Sequence, residues 1–300
     1  RPYHEDFIFA KNVKPIVLWP PARHPFLWYW WFEHAVKNYL LKTEPDLFIS
    51  PDGYLSIQKK IPTLLVMHDL AFEHYPKQLD WLTGAYYRHY SPIFAQTAAR
   101  IATVSNFTKQ DIVGCYGINA DKIDVVYNAA GSEFKPLDAK AQQAVRNQYT
   151  QGQPYFIFTG AIHPRKNVHQ IFRAFNQYKT NTGAPDKLLI VGRKAWQYGE
   201  VMEVYEHMKY QSDVIFTGHV KPEILCKMMA GAQALMYVSV FEGFGIPIIE
   251  AMQCGTPVIT SNCSVMPETA GGAAILADPF KVDSISEAMR KITVDEYARQ

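Results

Sequence analysis

Two glutamates, Glu242 and Glu250, stand on either side of a glycine-bearing turn, Gly243-Phe-Gly-Ile-Pro247. The amides from Gly243 to Ile246 would point out of a helix N-terminus, where backbone donors and the helix dipole favour an anion. A carboxylate does not bind phosphate. Two carboxylates beside an anion site suit a ligand with hydroxyls on both sides of its phosphates, as a nucleotide sugar has. Arg165-Lys166 is a second candidate, two adjacent cations that would oppose a diphosphate. Hydrogen bonds between charged partners are worth about 1.5–3 kcal/mol each. His68 is a third candidate, with Asp69 beside it either to orient the imidazole or to cap the next segment. Plainer readings stand beside these. Glu250 could merely favour its helix dipole, Glu242 could be a solvated loop residue, Arg165-Lys166 a solvated basic turn, and His68 a structural histidine.

The elements that must carry these residues are legible as alternating apolar runs and helical segments. Residues 234–238 read as a strand buried on both faces. Pro247 takes the first helical position and puts Glu250 in the first turn. That helix ends near Gly255, Thr256-Pro257 breaks it, and Val258 begins another strand. Residues 155–159 form a strand whose turn, from Gly160, leads to Arg165-Lys166. Residues 61–67 form a strand that stops at His68. Residues at the carboxyl ends of parallel strands line the ligand crevice of open α/β sheets. Further strands fall at 46–50, 101–104, 122–127, 188–191 and 213–217. The loop after the last of these, with Val220, lies where a nucleobase would rest. Helices fall at 25–41, 86–99, 106–113, 168–175, 224–232 and 284–292. The first of them opens with Trp28-Tyr-Trp-Trp-Phe32, which suits core packing, an acceptor wall or a membrane interface. Alternation of this kind predicts doubly wound parallel sheets.

Three hundred residues exceed one ordinary core. We place a first domain at 1–150 and a second at 151–300, with a polar linker at 134–154 that contains one solvent-facing helix at 139–149. The net charge of +2 is mildly basic, which suits an anionic small ligand and excludes a nucleic-acid footprint. Four cysteines without metal-finger spacing read as a reduced, cytosolic chain. No apolar run is long enough to cross a bilayer.

Residues 241–250 resemble the E-x7-E signature of retaining glycosyltransferases with the GT-B fold, in the large group called family 4. Gly160 to Asn167 resembles that group's phosphate-binding turn, residues 67–70 its histidine turn, and residues 103–106 the segment after it. Pro267-Glu268 and residues 277–279 also match. The likeness runs in order over roughly 25–292. It implies two Rossmann-like domains facing a cleft, apparently truncated at both termini because the opening strand with its glycine loop and the final crossing helix are missing. It implies Glu242 on donor-sugar hydroxyls, Glu250 on the ribose, and Phe244, Gly245 and Ile246 offering amides to the diphosphate, with Gly160 in the phosphate turn. Arg165 and Lys166 would neutralise the leaving group, and His68 would sit near the donor sugar.

The implied reaction moves a hexose from a nucleotide sugar to a saccharide or lipid-linked acceptor. No Asp-x-Asp pair occurs, so no metal ligands and no cofactor are expected. GDP-mannose is favoured over a UDP-sugar as donor. A peripheral contact with the inner face of the membrane accompanies this expectation. Two alternatives use the same scaffold: an epimerase or phosphorylase, and a non-catalytic nucleotide-sugar-binding protein.

Overall fold

Residues 7–19, 25–193 and 199–295 are described by the computed structural model. The chain divides into two compact units, Arg1–Val126 and Tyr127–Gln300. The polar segment read as a linker therefore belongs with the second unit. Its helix, Ala139–Thr150, is not simply solvent-facing. Val145 is buried, and Arg146 Nε donates to Gly231 O at 3.2 Å.

The first unit is built on four parallel strands, β1 (Phe48–Ser50), β2 (Thr63–Met67), β3 (Arg100–Thr103) and β4 (Ile123–Val125), in that spatial order. Leu65, Met67, Ile101 and Ile123 face a core completed by Phe94, Ala95 and Ile112 from the flanking helices. The helix before β3 spans Trp81–Thr97 and starts earlier than expected, because Asp80 caps it by accepting from Thr83 N at 3.0 Å. Ser105 caps the next helix, Asn106–Tyr116, in the same way. The aromatic helix near residue 28 packs inward as well as outward. Trp28 lies 5.5–6.0 Å from the rings of Tyr54, Tyr86 and Tyr87, while Tyr29 and Trp30 remain exposed.

The second unit carries six parallel strands: β5 (Tyr155–Thr159), β6 (Lys187–Val191), β7 (Val214–Gly218), β8 (Ala234–Tyr237), β9 (Val258–Ser261) and β10 (Ile275–Ala277). Their spatial order is β10-β9-β8-β5-β6-β7. Numbered from β5, this is the 3-2-1-4-5-6 order of a dinucleotide-binding sheet. Strands β5 and β8 are wholly buried, which is why both read as unbroken apolar runs. Phe156, Phe158, Ile190, Met236 and Ile259 pack against Phe172, Phe175 and Met289 of the covering helices. Each such side chain contributes about 2 kcal/mol by leaving water. The direction of winding reverses between β5 and β8, so the loops after these two strands flank the crevice where open α/β sheets bind ligands.

Candidate active site

The turn after β5 is locked by its own sequence. Pro164–Lys166 forms a single 3-10 turn, and His163 Nδ1 accepts from Arg165 N at 3.3 Å. Asn167 then takes a left-handed conformation with φ 60°, which asparagine tolerates better than most residues. Its buried carboxamide donates to Val238 O at 3.0 Å and to Pro279 O at 2.7 Å. Val240 N donates to Arg165 O at 3.0 Å. One side chain and one amide thus bind the loop after β5 to those after β8 and β10.

The same arrangement aims Lys166 at Glu242. The ammonium lies 2.7 Å from Glu242 Oε1 and donates to the Tyr237 hydroxyl at 2.9 Å. Burial opposes the ammonium's charge. Glu242 and Tyr237 outweigh that, and the Lys166 pKa is raised overall. Burial, with the Glu242 charge, pushes the Tyr237 phenol up to about 12, so it stays protonated at neutral pH. Glu242 is only 7% exposed and is no solvated loop residue. Its Oε1 is buried against the ammonium. Ser239 Oγ, three residues earlier, is buried with no hydrogen-bond partner. Such atoms are rare enough to point to a ligand. Ser264, at φ 55°, holds the Glu242 backbone twice, accepting from its N–H at 3.1 Å and donating to its carbonyl at 3.0 Å.

The helix after β8 spans Ile246–Gln253, with Gly245 as its cap at φ 89°. A Cβ on Gly245 would lie 3.4 Å from Tyr237 Cε1 and 3.2 Å from Ile248 Cδ1. The helix start therefore rests on the ring that holds Lys166. Among the described residues, the amides of Phe244, Gly245 and Ile246 find no acceptor within the chain, as the open end of a helix predicts. Because the helix begins at Ile246, Glu250 is its fifth residue and not part of the first turn. It shares a face with Ile246. Burial, assisted by the charge of Glu133, raises the Glu250 pKa to about 7.

Gly160 belongs to the cluster, since a Cβ there would lie 4.0 Å from Lys166 Cε. Arg165 is partly buried beside it. Val220 lies past the end of edge strand β7, two strands away from β5. His68 belongs to the first unit, directly after β2. Its Nε2 lies 2.8 Å from Pro51 O, and since a carbonyl only accepts, Nε2 donates and a neutral ring keeps Nδ1 as an acceptor. Asp69 closes a local turn ahead of the next helix, accepting from Ala71 N at 2.9 Å. Sequence reasoning missed Tyr237, Asn167 and Ser264. Tyr237 carried a usable signal, being the last residue of a strand that ends at the crevice.

Comparison with known proteins gives the family and the fold. The family described as Glycosyl transferases group 1 matches residues 140–300, and Glycosyltransferase Family 4 matches residues 1–132. The O-antigen chain mannosyltransferase B of Escherichia coli is 31% identical over 205 residues, covering 68% of this chain and 54% of that protein. The O-antigen chain mannosyltransferase RfbU of Salmonella typhimurium is 26% identical over 273 residues, covering 89% of this chain and 71% of that protein. This chain thus spans about half the length of the first of these relatives. Among solved structures, sucrose-phosphate synthase from Thermosynechococcus elongatus superposes with a TM-score of 0.75 at 18% identity, over 96% of this chain and 74% of that one. Anabaena HepE in complex with UDP-glucose superposes with a TM-score of 0.73 at 18% identity, over 88% and 73%.

Proposed function

This chain belongs to the glycosyl transferases group 1 family, and from that premise we infer that it moves a hexose from a nucleotide sugar to an acceptor hydroxyl with retention of anomeric configuration. The observation that carries the reading is the buried Lys166–Glu242 ion pair beside the open helix start at Gly245. A sugar hydroxyl would donate to the Glu242 carboxylate. The diphosphate would meet Lys166, Arg165 and the amides of Phe244, Gly245 and Ile246, while Glu250 takes the ribose.

The anomeric carbon's bond to the phosphate oxygen breaks as the acceptor oxygen bonds on the same face. The acceptor's proton passes to the departing phosphate. Fixed donors aimed at that phosphate stabilise its developing charge without reorganising. These groups supply the positive charge at the diphosphate with no divalent ion there.

The names of the relatives favour mannose as the hexose and an O-antigen-type chain as acceptor, and our reading takes GDP-mannose as the donor and a polysaccharide or lipid-linked saccharide as the acceptor. The enzyme would then work at the inner face of the membrane. No described helix is long and apolar enough to cross one.

A test pairs Glu242→Gln with calorimetry and a transfer assay over GDP-mannose and UDP-hexoses. We expect transfer to fall at least about 100-fold while nucleoside diphosphate still binds. Full transfer by the variant would overturn the assignment of Glu242. Binding of UDP-sugars in place of GDP-mannose would overturn the donor.

A further inference from the structure

The first unit carries a second cluster of chemically capable side chains. His74 ends the short helix Ala71–His74, which follows the His68 turn. Asp111 and Cys115 lie one turn apart on the helix Asn106–Tyr116. His74 Nε2 lies 2.8 Å from Asp111 Oδ1, and Cys115 Sγ lies 3.5 Å from the same oxygen. The three donor atoms all fall within 4.8 Å of one another.

An imidazole, a carboxylate and a thiol around one point form a ligand set typical of zinc. With metal bonds of about 2.0–2.3 Å, the donor atoms of a tetrahedral site stand roughly 3.3–3.7 Å apart. The sulfur-to-oxygen spacing already matches, the nitrogen-to-oxygen spacing opens by about half an ångström, and the sulfur-to-nitrogen spacing, at most 4.8 Å, closes by up to about 1 Å. The Asp111 side chain is 11% exposed, and His74 and Cys115 reach solvent, so an ion can enter.

We propose that His74, Asp111 and Cys115 bind a divalent transition-metal ion of the zinc class, leaving the fourth position to water. The metal would displace the thiol proton and clip the segment after β2 to the helix after β3. That helix already reaches this segment at one point, where Thr108 Oγ1 donates to His68 O at 3.4 Å. The ion would therefore brace the loop that bears His68. The proposal is independent of the donor-site reading.

The test uses cobalt(II) as a spectroscopic stand-in for zinc, added to the full chain. One equivalent is expected to give a sulfur-to-metal charge-transfer band in the near ultraviolet. Cys115→Ser is expected to abolish the band, and His74→Gln to weaken binding at least about tenfold, whereas Cys226→Ser leaves the band intact. Circular dichroism shows whether each variant is folded, and zinc is expected to displace the cobalt. Absence of the band in the unaltered chain, or its retention in Cys115→Ser, overturns the proposal.

Discussion

Lys166 is the residue on which the second unit's chemistry turns, because two groups of the fold position its charge for a third. Glu242 and Tyr237 hold it in the folded protein, and an incoming diphosphate would share it. Replacing Tyr237 with phenylalanine removes one acceptor from a buried ammonium while keeping the ring that supports Gly245. A buried hydrogen bond of this kind is worth about 1 kcal/mol. Tyr237→Phe is therefore expected to weaken nucleoside diphosphate binding about threefold to tenfold by calorimetry. Unchanged affinity would show that the hydroxyl does not position the lysine. At this scale the sequence disclosed Glu242, Glu250, Arg165 and Lys166, because charged residues stand out beside apolar runs. It concealed Tyr237, whose hydroxyl is invisible inside an apolar strand. It also concealed Asn167 and Ser264, whose roles depend on left-handed backbone that only the folded chain displays.

The loops at the carboxyl ends of the strands are joined by backbone bonds as much as by side chains. Gly160 N donates to Val191 O at 3.0 Å, Gly192 N to Gly218 O at 2.9 Å, and Ile162 N to Arg193 O at 3.0 Å. Gly192, at φ 146°, sits so close to the turn after β5 that a Cβ would come within 1.9 Å of Gly160 O. Gly192→Ala must push that turn, and Lys166 with it. We expect a loss of more than about 2 kcal/mol in urea unfolding, given backbone overlap combined with an unfavourable φ. A loss below about half a kcal/mol would show that the turn yields freely. Strands were easy to read here, since burial on both faces leaves continuous apolar runs, and β5 fell where expected. Strand β10 was not read at all. It has three residues, and its Leu276 is half exposed, so neither length nor pattern marks it. The helix Ala139–Thr150 looked solvent-facing because one buried valine is a weak signal, and its packing against Gly231 is a tertiary fact.

Across the whole chain, the alternation of elements implies the two parallel sheets, and the family resemblance implies their GT-B type of architecture, with the 3-2-1-4-5-6 order in the second. The point of division was less legible, because composition marks polar segments and not the contacts that assign them to one unit. Global stability carries a pH signature from the site. The Glu250 pKa rises from an ordinary 4.5 to about 7 in the folded state, so folding favours its protonated form. That contribution is fully present below pH 4.5 and disappears as pH climbs through 7. It amounts to at most roughly 3 kcal/mol. Urea unfolding at pH 5 and pH 8 should show the unaltered protein losing this increment, and Glu250→Gln losing correspondingly less. A variant whose loss equals or exceeds that of the unaltered protein would refute the shift.

Ser264 sits in backbone that glycine would occupy at lower cost, by roughly 1 kcal/mol, yet its hydroxyl secures the peptide on both sides of Glu242. Selection for a hardier protein would press toward glycine there, and selection for turnover would press back. Thermal robustness and catalytic competence thus pull in opposite directions at a single oxygen atom.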